Sequence, residues 1–245
     1  MQPPGFSADW YRAVTEFAHS TPSWVHPVAE IGTDAGLLLF AALFVAGWWR
    51  ARSGQAPAMG LALAAPVAVV AAYLVSEVSK TFIEEERPCR AVAGAMNIAA
   101  CPAPGDWSFP SNHSTIAAAS AAAIVVAWRA MAPLVLPLAA LMAFSRVFVG
   151  VHYPHDVVAG FLVGVVVAPL VVLLVARLVA PLVGRLREVS FGALLLGVPA
   201  AVPGPARRPV HLPPAPGPGP EPGPAPADVT MPDVMGGVHS APPRR

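Results

Sequence analysis

Long apolar runs separated by short charged turns constrain this chain more than any other feature. Five segments stand out: about Gly32–Trp49, with Asp34 at its mouth, then Ala56–Ser76, Asn112–Trp128, Ala130–Val149 and Val157–Ala176. The second holds 21 residues without a charge and the fifth holds 20. A helix needs roughly 20 such residues to cross the hydrocarbon layer, and the first and third segments reach that length by borrowing flanking residues. A soluble bundle needs a polar coat. With 56% hydrophobic and 12% charged residues, too little polar sequence remains to provide one. The expected fold class is all-α, a polytopic membrane helical bundle with about five transmembrane helices. A sixth becomes available if the short apolar stretch 189–202 also crosses.

The remainder divides by composition. Residues 1–31 carry Trp10, Arg12, Phe17 and Trp24 and read as an interfacial amphipathic segment. Pro22 and Pro27 separate it from the first span. Residues 32–187 form the membrane domain, and 188–202 a short apolar segment. Half of the 30 prolines fall in residues 199–245, so 203–245 is expected to be an extended, disordered tail. The net charge of +1, without a basic patch, argues against nucleic acid as a partner and leaves membrane lipids as the expected surroundings.

Charge fixes a direction. Arg50 and Arg52 follow span one, Arg129 lies between spans three and four, and Arg177, Arg185 and Arg187 follow span five. Alternating helices put all six on one side, which the positive-inside rule makes cytoplasmic. The opposite, external face then receives three polar clusters: Lys80–Pro88 (KTFIEEERP), Phe109–His113 (FPSNH) and Ser145–Asp156 (SRVFVGVHYPHD). Cys89 and Cys101 fall on the same side, where a disulfide is chemically allowed, although the spacing leaves the pairing open.

The three clusters make one chemistry. Lys80, Arg87 and Arg146 offer cations for phosphate oxygens. Ser111 adds a hydroxyl at a helix start whose free N–H groups attract anions. His152 and Asp156, four apart, can share a helix face, so that Asp156 holds one imidazole nitrogen and leaves the other to attack phosphorus. His113 can protonate the departing oxygen. His155 points elsewhere on such a helix, and Glu84, Glu85 and Glu86 read first as a solvated acidic rim. A metal centre of His113, His152, His155 and Asp156 lacks a recognised ligand spacing, so no metal and no cofactor is expected. A noncatalytic phospholipid-binding or transport protein would not require the histidine pair.

These residues resemble the type 2 phosphatidic acid phosphatase (PAP2) superfamily, whose pattern is K-x6-RP, PSGH and SR-x5-H-x3-D. Here it reads Lys80-x6-Arg87-Pro88, Pro110-Ser111-Asn112-His113 and Ser145-Arg146-x5-His152-x3-Asp156, with Asn112 in place of the usual glycine. The resemblance implies catalysis by His152, His113 and Asp156, phosphate binding by Lys80, Arg87, Ser111, Asn112 and Arg146, and no metal. FPSNHS and SRVFVGVHYPHDVVAG look most like bacterial undecaprenyl-diphosphatases of this type. The substrate so implied is a polyprenyl diphosphate, cleaved to the monophosphate on the outer face of the cell membrane. Phosphatidate, phosphatidylglycerol phosphate and other polyprenyl-linked phosphates are the alternatives.

Overall fold

The computed structural model describes residues 4–198 and, beyond them, the isolated positions 217, 219 and 223. Its elements are all helical: α1 (Gly5–Ser20), α2 (Val25–Ala51), α3 (Ala56–Ile83), α4 (Pro88–Ala91), α5 (Asn112–Ala127), a 3-10 turn at Arg129–Met131, α6 (Ala132–Phe148), α7 (Pro154–Leu186) and α8 (Ser190–Leu196). Prolines open α3, α4, α6 and α7, where the missing N–H costs nothing. Pro66, Pro137, Pro169 and Pro181 lie inside helices, a placement that membrane bundles tolerate.

Among the described residues, four stretches are long and apolar enough to cross a membrane: Val25–Ala51, Ala56–Ala91, Arg129–Phe148 and Pro154–Leu186. The chain is thus a multi-pass membrane bundle. The expected count of about five is met only in part, because α5, the remaining candidate, has 16 residues. It rises about 24 Å, short of the ~30 Å hydrocarbon layer. It is also the most enclosed helix, packed against α2, α3, α6 and α7. The stretch proposed as a sixth crossing forms only the seven-residue α8, about 10 Å long. Arg52 and Arg187 bond its carbonyl oxygens at Leu194 and Leu196, at 2.6 and 2.8 Å. The Pro-rich tail lies outside the described residues except for the three isolated positions.

The bundle reverses the soluble pattern. Small residues fill its interior: Ala64, Ala65, Ala68 and Ala72 of α3 meet Ala119 and Ala123 of α5 and Ala168 and Ala176 of α7. Large apolar side chains such as Leu38, Leu170 and Leu178 face outward. Lipid is as apolar as leucine, so association depends on close backbone approach, which small residues permit. Gly160 and Gly164 show such an approach between α5 and α7. A Cβ on Gly160 would sit 2.4 Å from Ser111 O, and one on Gly164 would sit 2.5 Å from Thr115 O and 2.6 Å from Ala119 N.

α1 departs from a helix simply resting on the bilayer. Its inward stripe is Ser7, Tyr11, Thr15 and Ala18, turned to α6 and α7, while Phe6, Trp10 and Phe17 are exposed. The first long helix starts at Val25, inside the stretch that the sequence assigns to the N-terminal segment.

The backbone atoms facing Gly164 cannot yield, so Gly164→Val should force α5 and α7 apart. We expect a loss of about 1–3 kcal/mol, read as a lower thermal midpoint in detergent. An unchanged midpoint would show that this contact does not hold the helices.

Candidate active site

The three polar clusters meet at one end of the bundle. α3 ends at Glu84, which takes a left-handed φ of 45° and turns the chain toward Arg87. Cys89 and Cys101 form a disulfide, settling a pairing the spacing left open and closing the loop that returns through Asp106 and Ser108. Ser111 N-caps α5. After α6, Gly150 at φ 81° lets the chain pass 2.7 Å from Asn97 Cα, measured from where a Cβ would stand. This turn delivers His152.

His152 precedes α7, correcting the expectation that it shares a helix face with Asp156. Tyr153 is the N-cap, and Asp156, in the first turn, reaches back so that its Oδ2 accepts the Tyr153 N–H at 2.8 Å. That cap places Oδ2 3.3 Å from His152 Nδ1. Ser108 lies 3.4 Å from the same nitrogen and donates its hydroxyl to Asp156 Oδ2. On the other side of the ring, Arg87 Nη1 stands 3.0 Å from Nε2. A guanidinium can only donate, so Nε2 is the bare nitrogen and Nδ1 carries the proton. Both His152 and Asp156 are buried. Burial, then the charges of Arg87, Arg146, Lys80 and His113, hold the His152 imidazole well below its ordinary pKa.

The cations are buried as well: Lys80, Arg87 and Arg146 are 5%, 4% and 9% exposed, a costly arrangement that marks a site rather than solvated anchoring. Asp106 supplies a counter-charge. Its Oδ1 accepts from Arg87 Nη2 at 2.8 Å and lies 3.5 Å from Lys80 Nζ. Burial works to raise the Asp106 carboxyl, but the hydrogen bond and charge of Arg87, with Lys80 behind them, overcome it and hold that carboxyl below the usual range. Arg146 Nη1 donates to Thr33 Oγ1 at 3.3 Å, and its Nε has no hydrogen-bond partner among the described residues.

His113 and Asn112 are engaged at the edges. His113 Nε2 is 2.9 Å from Asp34 Oδ1. The Asn112 side chain turns to α3, donating to Glu77 Oε2 at 2.6 Å and accepting from Ser76 at 2.8 Å. The acidic run is no uniform rim. Glu85 is 2% exposed, with its two oxygens 3.1 and 3.0 Å from His155 Nε2, while Glu86 pairs with Arg90. The metal set imagined from the sequence does not assemble. Ligand atoms of Glu85, His155 and Asp156 instead lie within 4.8 Å of one another, a group that can accept a small divalent cation. Sequence reasoning passed over Asp106, Ser108, Thr33 and Glu77. Asp34 alone left a signal, as a charge within an apolar run.

Comparison with known proteins identifies what the chain is similar to. A family model described as the PAP2 superfamily matches residues 61–180. An undecaprenyl-diphosphatase of Sulfolobus acidocaldarius is 37% identical over 101 residues, 40% of this chain and 47% of that protein. A decaprenylphosphoryl-5-phosphoribose phosphatase of Mycolicibacterium smegmatis is 34% identical over 149 residues, 61% of this chain and 68% of that protein. The chain spans about half the length of the first of these relatives. A crystal structure of a PAP2-type phosphatidylglycerolphosphate phosphatase from Bacillus subtilis shares the fold, with TM-score 0.52 and 24% identity over 69% of this chain and 85% of that one.

A lowered histidine pKa has a thermodynamic consequence. Between the folded value and the ordinary value near 6.5 the unfolded chain binds more protons, so stability falls as pH drops below about 6.5. His152→Gln removes this contribution. Stability of the unsubstituted protein minus that of the variant should therefore decline toward acid, by up to about 1.4 kcal/mol per pH unit. Parallel stability profiles from pH 7.5 to 5 would contradict the assignment.

Proposed function

The chain belongs to the PAP2 superfamily, and from that premise we propose that it is a membrane lipid phosphatase acting on a polyprenyl diphosphate, undecaprenyl diphosphate first. The observation that carries the reading is the two-sided setting of His152, with Nδ1–H toward Asp156 and a bare Nε2 toward the buried cations. A phosphoryl group takes the hydrogen bonds that Arg87 Nη1 now gives Nε2. Lys80, Arg87 and Arg146, with Ser111 and Asn112 at the start of α5, bind its oxygens and stabilise charge as it builds. The Nε2 lone pair forms the P–N bond while the bond from phosphorus to the bridging oxygen breaks. His113, oriented by Asp34, gives that oxygen its proton. Water, giving a proton back to His113, then attacks phosphorus as the P–N bond breaks, inorganic phosphate leaves, and Nε2 is bare again.

The substrate reading draws on relatives described as acting on polyprenyl-linked phosphates. The longer match to the phosphoribose phosphatase favours one second reading, a polyprenyl-linked phosphate monoester. The site faces the extracytoplasmic side in this proposal, with α5 completing a five-helix membrane core. Basic residues support that direction. Arg52 and Arg187 gather where α3 begins and α7 ends, and Arg50 stacks on Trp128 there, at the far end of both helices from His152. The Cys89–Cys101 disulfide suits an oxidising compartment.

His152→Ala should lower phosphate release from undecaprenyl diphosphate by at least about 10³-fold, with chelator present and folding checked by thermal melt. Normal turnover by the variant would remove His152 as nucleophile. In a competitive panel of undecaprenyl diphosphate, phosphatidate and phosphatidylglycerol phosphate, equal or better turnover of either glycerolipid would reverse the substrate ranking. Orientation is tested by the two cysteines. In spheroplasts treated with an impermeant reductant, an impermeant maleimide should label them. Labelling only after lysis would invert the topology.

A further inference from the structure

Asp156 has two unlike oxygens. Oδ2 accepts from Tyr153 N–H and Ser108 and faces His152. Oδ1 is buried without a hydrogen bond among the described residues, and 3.2 Å away stands His155 Nε2. Glu85, buried too, presents both oxygens to that same nitrogen. The imidazole thus stands between two buried carboxylates, hydrogen-bonded to Glu85 and within ion-pair distance of Asp156 Oδ1, where opposed like charges are costly without a donor or cation between them.

The ring is held for this task. Ser7 Oγ of α1 lies 2.7 Å from Nδ1. Phe109 and Tyr153 stack against the ring at 5.7 and 5.4 Å between centroids. The backbone carbonyl of Glu85 accepts Ser108 N–H at 2.7 Å, so the segment that sets Glu85 also sets the hydroxyl on Asp156. Glu85 and His155 occupy positions that the K-x6-RP and H-x3-D spacings leave unspecified.

We propose that His155 is a positioning residue: bridging Glu85 and Asp156, and braced by Ser7, it fixes the carboxylate that orients His152. The inference rests on the phosphatase reading above. Removing His155 alone leaves two buried carboxylates opposed and displaces Asp156. Removing Glu85 as well relieves the opposition.

The test is a double-mutant cycle on the full-length protein, measuring kcat and KM for phosphate release from undecaprenyl diphosphate and the His152 Nδ1–H resonance by proton NMR. His155→Ala should cut kcat by about 10–100-fold with KM within about threefold, and lose the resonance. Glu85→Ala should cost about threefold. The double variant should return to within about threefold of Glu85→Ala and regain the resonance. His155→Gln, which keeps an N–H donor, should recover much of the loss and shows that the site still folds. Additive losses, a change confined to KM, or an intact resonance in His155→Ala would each overturn the proposal. So would a chelator that lowers wild-type kcat with zinc restoring it, because the bridge would then be a metal ion. A wild-type protein that turns over no lipid phosphate defeats the phosphatase reading alone, and the resonance still decides the role of His155.

Discussion

The approach of α5 to α7 is the contact on which the site depends. Where Gly160 and Gly164 remove side chains, the two backbones come close enough for Ser111 N–H to reach the carbonyl of Asp156 at 3.1 Å and for the Ser114 hydroxyl to reach that of Val157 at 2.7 Å. The first turns of both helices therefore lie side by side. Asp156 and Ser111 are 45 positions apart in the chain, yet their spacing is set by main-chain bonds rather than by flexible side chains. In a bilayer such bonds matter more than apolar area, because helix separation exposes nothing to water. A Cβ at Gly164 would act on the active site through register, whereas one at Gly160 would press on Ser111 itself.

Charge balance is the second constraint. Three buried cations cannot persist without partners, and those present are few. Asp106 bridges Arg87 and Lys80, Glu77 stands 3.8 Å from Lys80, and Arg146 meets a threonine hydroxyl. The positive excess lies around His152. Burial first and this excess second hold the imidazole well below its ordinary pKa, and the same excess draws an anion toward it. Asp106 can balance the cations because it stands outside the helices, five residues beyond Cys101, where it remains half exposed.

What could be read from the sequence was whatever local chemistry encodes. Apolar runs located the long helices, since a lipid-facing surface imposes its composition residue by residue. Their ends were misjudged: α7 extends ten residues past Ala176 to Leu186 because Arg177 does not end a helix whose flank can carry a charge outward. The nearness of His152 and Asp156 was read through a helix face, whereas an N-cap produces it, since Pro154 starts the helix two residues after His152. Asp106, Ser108 and Thr33 were invisible, as each gains its role from a partner 19 to 113 positions away. Glu85 was misplaced for a related reason. Three consecutive glutamates look alike in sequence, and only the left-handed turn at Glu84 separates the one that goes inside from its neighbours.

α1 joins these constraints. A soluble amphipathic helix hides its apolar face, but this one hides Ser7, Tyr11 and Thr15 and exposes Phe6, Trp10 and Phe17. That inversion fits a helix whose outer surroundings are the lipid interface, where tryptophan settles, and whose inner face meets both polar groups and small apolar clusters. The inner surroundings are the loops of the site itself. Tyr11 donates to Gly150 O at 3.0 Å and packs on Tyr153, the residue that caps α7, and Ser7 meets His155. The helix touches both ends of the turn that carries His152. Because its outer face is stabilised by the bilayer and its inner face by that turn, the geometry of the nucleophile depends on the membrane interface as well as on the bundle beneath it.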